Sequence, residues 1–553
     1  MAPAFCVTAE ANRVARRCGD AHLGEAIGSV NAFLQFYVAL PLKPRKTAKF
    51  TRLKGGPAHS RLMESAVAMS NQPRESFGNQ VRNAVIWRSG SQIVGQIIQW
   101  SATFAVIRLL PPRDYGLMAM TQVVMVLLTM LNGAGLASGL VQQPDLTRRQ
   151  IAQVFGMLLL LNATLAAVQF VGAPWIAAYY HQPLVAHMLR IQLLMYLFTP
   201  FIAVPYALRA RAMDFRVQAV VNMTSSIVSA STALGGALAG WGVWALVLAP
   251  IAFFATRATG MAVATRWLIW PRFDFRGAGS LARYGALMTI GSLFWFVESQ
   301  ADIFIAGRSF SAHELGIYST ALFLTQIFVS KFVPPLNEVA FSAYARIQHD
   351  ADAFPKAFVR AARLILVAAL PFYLGLAVTA RPLVEVALGP QWAPAIPIVH
   401  LLAFAMPFMT LQVLFAPACE ARGRPGIPIR NSAAGAVILA TGFLIGVRFG
   451  PEGLAWAWIG AYPVFLIVSA AQSLPAIGLR PLVLIDAIAP PALAAIAMAL
   501  AVVAVRHVLP PMAPLPQLAI LVASGAATYG LWLALFARDA VRELVTIVRR
   551  RAL

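Results

Sequence analysis

The stretch YGALMTIGSLFWFVESQADIFIAGRSFSAHELGIYS, residues 284–319, decides how this chain folds. Its first part is apolar and long enough to cross a bilayer as a helix, which takes about 20 residues. A second helix is predicted after a short turn. Glu298 and Asp302 lie near the far end of the first helix. A charge at bilayer depth costs at least about 2.5 kcal/mol, so we expect both carboxylates to face a protein interior or a wet cavity.

This stretch has a twin earlier in the chain. The segment from Arg308 to Glu314-Leu315-Gly316-Ile317 repeats the segment from Arg108 to Asp114-Tyr115-Gly116-Leu117 at an offset of 200 positions. Two further pairs share an offset of 211 positions: Ala210-Arg211-Ala212 with Ala421-Arg422-Gly423, and Gly242-Val243-Trp244-Ala245 with Gly453-Leu454-Ala455-Trp456. The sequence therefore predicts two similar halves, residues 81–270 and 271–480.

Composition places the chain in a membrane. Of its 553 residues 59% are hydrophobic and 12% are charged, whereas soluble domains contain about 25% charged residues. The predicted fold class is therefore an all-α integral membrane protein, because a chain in lipid must satisfy its backbone within helices. The net charge of +23 comes mostly from loops, which indicates anionic lipid headgroups as the partner rather than nucleic acid.

About fourteen membrane spans are predicted, punctuated by Gly and Pro. They lie near 85–108, 116–140, 152–175, 188–208, 218–240, 243–265, 284–306, 317–343, 361–380, 396–418, 431–450, 453–474, 486–506 and 517–537. An even number of spans in each half makes the halves parallel repeats, which we expect to form six-helix lobes around a central cavity. Residues 481–553 add two extra spans and a basic C-terminus.

Orientation follows from the loops, since Lys and Arg concentrate on the cytoplasmic side. The bias predicts that both termini are cytoplasmic. Residues 1–80 are basic and contain no span, and two interpretations stay open for them. They form a disordered cytoplasmic tail, or translation begins later, for instance at Met69.

Several segments together resemble the bacterial polysaccharide biosynthesis flippases, which belong to the multidrug/oligosaccharidyl-lipid/polysaccharide exporter superfamily. The segments are IRLLPPRDYGLMAM (107–120), GAGLASGLVQQPDLT (133–147), GWGVWALV (240–247), ADIFIAGRSFSAHELGIYS (301–319), FSAYARIQHD (341–350), LGPQWAPAIPI (388–398) and EARGRPGIPIRN (420–431). The chain departs from the family pattern at Pro111, where Gly is usual, and at Ala134, where Asp is frequent. A carboxylate role at position 134 is therefore excluded.

The resemblance implies a substrate, a location and partners. The substrate would be an oligosaccharide repeat unit on undecaprenyl pyrophosphate, moved from the cytoplasmic to the periplasmic leaflet of the inner membrane. It would feed lipopolysaccharide, capsule or exopolysaccharide assembly, with a polysaccharide polymerase and a chain-length regulator as further candidate partners.

Two basic residues lie well inside apolar runs, Arg257 in span 6 and Lys331 in span 8. We expect them to face the cavity and to hold the pyrophosphate or an acidic sugar, because Arg offers a bidentate fork and Lys a point charge. The alternatives are snorkelling to the membrane surface and pairing with Glu298, Asp302 or Glu338. The pair Pro334-Pro335 is expected to kink span 8 beside Lys331.

Amides and carboxylates supply the remaining candidates. Gln92, Gln96 and Gln99 recur at helical spacing and could bond sugar hydroxyls, although interhelical hydrogen bonds are an equal alternative. Glu298 and Asp302 are four residues apart and share a helix face. They are candidates for binding a coupling ion, and for Asp302 a structural pairing is favoured.

Catalytic patterns are missing from the sequence. Cys6, Cys18 and Cys419 form no disulfide or metal pattern, no His pair has metal-ligand spacing, and no phosphate-binding Gly-rich loop is present. The chain is therefore predicted to need no metal or cofactor and not to be an enzyme.

Four other functions are alternatives for a sequence of this kind. A multidrug exporter or a peptidoglycan-precursor flippase of the same superfamily would share the pattern, and neighbouring glycosyltransferase genes would tell them apart. A polysaccharide polymerase or ligase would need a large periplasmic loop, whereas every predicted periplasmic loop is short. A membrane scaffold would not need charges inside spans.

Overall fold

The computed structural model describes residues 94–132, 140, 147–211, 215–266, 269–274 and 279–536, with the backbone alone for 279–292 and 536. Within these ranges the chain forms helices and short turns and contains no strand, so the predicted all-α class is confirmed. The predicted tail at residues 1–80, the candidate Gln92 and the basic C-terminus beyond residue 537 lie outside the described residues.

The helices follow the predicted spans closely. They are α1 (94–109), α2 (Pro112–Met130), α3 (Arg148–Tyr179), α4 (Pro183–Gln192), α5 (Leu194–Arg211), α6 (Phe215–Leu238), α7 (Val243–Thr265), α8 (Gly279–Ser309), α9 (Ala312–Arg346), α10 (Ala353–Val378), α11 (Ala380–Ala387), α12 (Ile396–Gln412), α13 (Phe415–Ala421), α14 (Gly426–Gly446), α15 (Gly450–Ile477), α16 (Pro481–Val508) and α17 (Pro514–Phe536). Short 3-10 turns lie at Pro390–Ala395 and Val447–Phe449.

A helix covers the described part of each predicted span, with small differences at the ends. Span 4 is divided at Leu193 into α4 and α5, and the end of span 10 continues into the short helix α13. Helix α9 runs without interruption through Pro334 and Pro335, and a bend at that point stays a prediction.

Nine helical segments in the described ranges are long and apolar enough to span a membrane. One of them, Gly426–Ile477, contains both α14 and α15. Helices α1, α2, α6 and α8 are shorter or more polar in their described parts. The chain is a multi-pass membrane protein.

Packing is extensive within each predicted half, and the contact between the halves is concentrated on one helix. In the first half α6 packs on α7, and α5 packs on both α7 and α3. In the second half α14 packs on α15 and α8, while α12 packs on α10 and α15. Most contact between the predicted halves involves α2, which packs along α9 and α8. Helix α16 packs on α10, and α17 packs on α16.

The twin motifs pack on each other where α2 and α9 begin. A Cβ atom added to Gly116 would lie 1.7 Å from the Ala312 carbonyl oxygen, and one added to Gly316 would lie 1.7 Å from that of Pro112. Only glycine permits two backbones to approach this closely. We call this region, residues 107–116 and 307–316, the twin-motif end.

The motifs that contain Arg211 and Arg422, which repeat at an offset of 211 positions, make hydrogen bonds inside each predicted half. The Arg211 guanidinium donates to the Leu140 carbonyl at 3.2 Å, and the Arg422 guanidinium donates to the Gln348 carbonyl at 2.7 Å. The loop after Gln348 is closed by Asp350, whose carboxylate accepts from the backbone N–H groups of Ala353 and Asp352. These two hydrogen bonds hold the pKa of Asp350 below its usual value.

Candidate functional site

A cavity of about 620 Å³ lies among α1, α2, α5, α6 and α7. This volume is within the usual range for a ligand pocket. Its polar lining consists of amide, hydroxyl and guanidinium groups, from Gln96, Gln99, Thr103, Tyr115, Tyr206, Gln218, Asn222, Ser226, Ser229 and Arg257. The cavity is therefore suited to a ligand with many hydrogen-bonding groups.

Arg257 on α7 is the one charged side chain among the described residues that line the cavity. Its guanidinium lies 5.3 Å from the Tyr206 ring centroid and 5.9 Å from that of Phe253, in cation–π contact with both. Its Nε atom is buried and has no hydrogen-bond partner. No carboxylate is among the lining residues that the structure describes, so none of these residues neutralises the positive charge of Arg257.

Two of the predicted glutamines join Arg257. The side chains of Gln96 and Gln99 on α1 line the cavity, as does Asn222 on α6. All three are half-buried. The neighbouring Gln218 donates its side-chain amide to the Tyr206 carbonyl at 2.9 Å, which ties α6 to α5 and steadies the ring beneath Arg257.

Lys331 lies apart from this cavity. It is on α9, its side chain is exposed, and it makes no ion pair with any residue that the structure describes. The prediction that Arg257 and Lys331 face one shared cavity therefore stays a prediction, since the described lining of this cavity comes from the first half of the chain.

Glu298 and Asp302 lie in the second half, also away from the cavity. Asp302 is buried and accepts a hydrogen bond from the Tyr318 hydroxyl at 2.8 Å, and that hydroxyl accepts one from the Trp458 indole at 2.8 Å. Glu298 lies beside Ser432 of α14, and its Oε2 atom is buried without a hydrogen-bond partner. No group of three or more potential metal ligands occurs in the described part of the chain.

Arginines of the twin motifs make reciprocal bonds between the predicted halves. The Arg108 guanidinium donates to the Val386 carbonyl at the end of α11. The Arg308 guanidinium donates to the Tyr179 carbonyl at the end of α3 at 3.4 Å and lies 5.0 Å from the Tyr179 ring centroid. Each arginine thus binds the opposite half.

The 3-10 turn at Pro390–Ala395 caps the end of α1. The Gln391 side-chain amide lies 3.0–3.3 Å from the carbonyls of Ile107, Arg108 and Leu110. The Trp392 indole donates to the Ile107 carbonyl at 2.9 Å and packs edge-on against Tyr115. The carbonyls at a helix C-terminus need such partners when they are buried, so this turn seals the twin-motif end.

The fold defines a class of protein. The chain superposes on the lipid II flippase MurJ in its inward closed conformation with a TM-score of 0.68 at 13% identity, over 83% of this chain and 100% of that one. A MATE family multidrug resistance transporter of the MOP superfamily, in an inward-facing conformation, gives a TM-score of 0.55 at 13% identity, over 71% and 97% of the two chains. The protein has the fold of these membrane transporters.

The family follows from sequence. The signature of the family described as "Polysaccharide biosynthesis protein" matches residues 105–397, more than half of the chain. The protein belongs to this family.

Three relatives are informative. The succinoglycan biosynthesis transport protein ExoT of Rhizobium meliloti is 29% identical over 322 residues, which is 58% of this chain and 65% of ExoT. The teichuronic acid biosynthesis protein TuaB of Bacillus subtilis is 22% identical over 51% of this chain and 58% of TuaB. The lipopolysaccharide biosynthesis protein WzxC of Escherichia coli is 20% identical over 61% of this chain and 72% of WzxC. The chain thus spans less than two thirds of ExoT and TuaB.

Proposed function

We propose that the protein is a flippase for lipid-linked oligosaccharides. It carries a repeat unit on undecaprenyl pyrophosphate from the cytoplasmic to the periplasmic leaflet of the bacterial inner membrane. The observation that carries this proposal is a cavity with Arg257 and free amides inside a membrane-spanning fold, in a chain of the polysaccharide biosynthesis family. The relatives named for succinoglycan, teichuronic acid and lipopolysaccharide biosynthesis support it.

The physical task explains why the cavity is polar. Each hydroxyl moved from water into hydrocarbon without a partner costs about 4–8 kcal/mol, so an oligosaccharide cannot cross unaided. Amides, hydroxyls and a guanidinium replace the lost water, while the polyprenyl tail stays in the bilayer. Such a passage moves a molecule without changing its bonds, and the protein is not an enzyme in this role.

Alternating access opens the substrate site to one side of the membrane at a time. Two six-helix lobes, residues 81–270 and 271–480, rock about the contact of α2 with α8 and α9. The distribution of Lys and Arg among the loops supports an orientation with the twin-motif end in the periplasm and both termini in the cytoplasm. In this arrangement the periplasmic side is closed by the reciprocal arginine bonds and by the Trp392 turn. These contacts must break before the substrate leaves.

Individual residues take the following roles. Arg257 and Lys331 hold the pyrophosphate or an acidic sugar, and Gln92, Gln96 and Gln99 bond sugar hydroxyls. Glu298 binds a coupling proton or cation, whereas Asp302, the second candidate for that role, accepts the hydrogen bond of Tyr318 and serves the structure. A polysaccharide polymerase and a chain-length regulator consume the delivered repeat units, which keeps net movement outward.

Deleting the gene tests the proposal in cells. We expect lipid-linked repeat units to accumulate in the cytoplasmic leaflet and the surface polymer to disappear, because no other step moves the sugar across. The measurement is the amount of lipid-linked oligosaccharide in right-side-out and inverted membrane vesicles after glycosidase treatment. A plasmid copy of the gene should restore the polymer, and normal polymer in the deletion strain would refute the flippase role.

Glu298 and Asp302 have different surroundings, so we expect substitutions of the two residues to have different effects. We expect Glu298→Gln to remove the dependence of transport on an imposed proton or cation gradient, since its buried Oε2 atom has no partner. Asp302→Asn should instead lower the unfolding midpoint, because it weakens a charge-assisted bond from Tyr318 worth about 1.5–3 kcal/mol. Transport into proteoliposomes and unfolding in detergent measure the two effects.

The exposed Glu338 on α9 offers the control for this pair, since Glu338→Gln should change neither quantity. Gradient-driven transport by Glu298→Gln equal to that of the wild type would remove Glu298 from the coupling role.

A further inference from the structure

The cavity in the first half of the chain has a charge that fits one class of ligand. Among the residues that the structure describes, its lining contains one ionised group, the Arg257 guanidinium, and no acidic residue. A ligand that enters is therefore matched by a single positive charge from the described lining, inside a membrane-spanning fold. In such a setting one unpaired charge on either side is costly.

The environment of Arg257 leaves one edge of the guanidinium available. Two aromatic rings lie against the group, from Tyr206 and Phe253, and Nε is buried without a partner. The two terminal NH2 groups are therefore the donors that can reach a ligand. Their fork geometry matches the two oxygens of a carboxylate.

The rest of the lining is of the kind that binds a sugar ring. The amides of Gln96, Gln99 and Asn222 make no side-chain hydrogen bond to other described residues, so their donors and acceptors are available to hydroxyl groups. Phe253, Phe254 and Tyr115 add aromatic surface to the same cavity. From Leu246 to Arg257 the lining follows α7 over about 16 Å, at 1.5 Å per residue.

A pyrophosphate fits this cavity poorly. A pyrophosphate diester carries a negative charge on each phosphate, whereas the lining supplies one cation. It is also bonded directly to the polyprenyl chain, which must stay in lipid, whereas the cavity is lined by α1, α2, α5, α6 and α7.

We propose that this cavity selects a sugar that carries one carboxylate, such as a uronic acid, with Arg257 binding the carboxylate and the three amides binding ring hydroxyls. The proposal rests on the flippase function and adds the chemical class of the sugar that this site takes. The pyrophosphate then lies outside the cavity.

The test uses the full-length protein in lipid nanodiscs with a reporter cysteine in the cavity. Ser226→Cys is introduced after Cys6, Cys18 and Cys419 are replaced by serine or alanine, and the rate of maleimide labelling is measured. The probes are methyl glucuronide, methyl glucoside and inorganic pyrophosphate. We expect methyl glucuronide to protect the reporter at the lowest concentration. Arg257→Gln should raise that concentration about ten- to hundredfold, as the loss of a charge-assisted hydrogen bond implies, and leave the glucoside unchanged.

Control variants keep the result interpretable. Arg257→Lys retains the charge without the fork and should keep a weaker preference for the glucuronide. Arg506→Gln removes an exposed arginine near the end of α16 and should behave like the wild type. Unfolding midpoints of all variants show whether each one is folded.

Two outcomes would overturn the proposal: equal protection by glucuronide and glucoside, or stronger protection by pyrophosphate that is lost in Arg257→Gln. Neither outcome touches the flippase role, which is judged by the leaflet distribution of lipid-linked oligosaccharide in the deletion strain. Conversely, selective glucuronide protection in a protein whose deletion leaves the polymer intact would keep the binding site and remove the flippase role.

Discussion

Replacing Gly116 by alanine is expected to abolish export and to destabilise the protein. The added methyl group would lie 1.7 Å from the Ala312 carbonyl oxygen, so the starts of α2 and α9 would have to separate. Overpacking usually costs about 1–3 kcal/mol, and a clash with backbone falls at or above the top of this range because no side chain can move aside. The unfolding midpoint in detergent and the polymer yield in cells measure the effect.

Gly316→Ala should have the same effect, since its added methyl group meets the Pro112 carbonyl oxygen at the same distance. The matched control is Gly172→Ala within α3, where no atom lies within 4 Å of the added group. A helix-interior glycine replaced by alanine gains up to about 1 kcal/mol, so this control should be as stable as the wild type or more so. A Gly116→Ala protein with wild-type stability would show that α2 and α9 do not pack as described.

Replacing Trp392 by alanine is expected to loosen the seal at the twin-motif end. Trp392 is 0% exposed, and truncating a buried tryptophan costs about 3–5 kcal/mol. The change also leaves the Ile107 carbonyl without its indole donor. We expect faster backbone hydrogen exchange, by at least about tenfold, in residues 107–116 and 386–396, together with reduced export.

Trp270→Ala is the matched control, because Trp270 is 85% exposed and its removal should leave exchange at the twin-motif end unchanged. Trp392→Phe keeps a ring against Tyr115 but lacks the N–H group, so its exchange rate should be intermediate. Unchanged exchange in Trp392→Ala would mean that this turn does not close the twin-motif end.

The fold could be predicted from the sequence because runs of apolar residues mark the segments that lie within the membrane. Span 6 and α7 share the same bounds, Val243–Thr265, since Gly242 and the basic Arg266 delimit the run. The division of span 4 at Leu193 could not be predicted, because Leu193 and its neighbours are as apolar as the helices they join. The duplicated glycines were visible in the sequence, but not that each lies against the other half.

The candidate site was predicted in part. Arg257, Gln96 and Gln99 were identifiable as polar groups inside apolar runs, and the structure brings these three to one cavity. Asn222, Gln218, Ser226 and Tyr206 were not identified, because α6 contains many small polar residues and their pattern equally fits contacts between helices. The amide spacing on α6, with Gln218 and Asn222 four residues apart, was the available signal.

The direction of the Lys331 side chain could not be predicted from the apolar runs. Hydropathy gives the depth of a residue along the membrane normal, whereas the direction of its side chain depends on how the helix is rotated against its neighbours. Arg257 and Lys331 look alike in sequence, yet the first lines the cavity and the second is exposed on α9.

The contacts at the twin-motif end are reciprocal between the two predicted halves. Position 116 meets 312 while 316 meets 112. Arg108 binds the Val386 carbonyl in the second half, and Arg308 binds the Tyr179 carbonyl in the first half. Such reciprocal contacts are typical of the isologous interface of a two-fold homodimer, in which both subunits use the same surface. The contact between α2 and α9 in this single polypeptide thus has the form of an interface between two copies of one subunit.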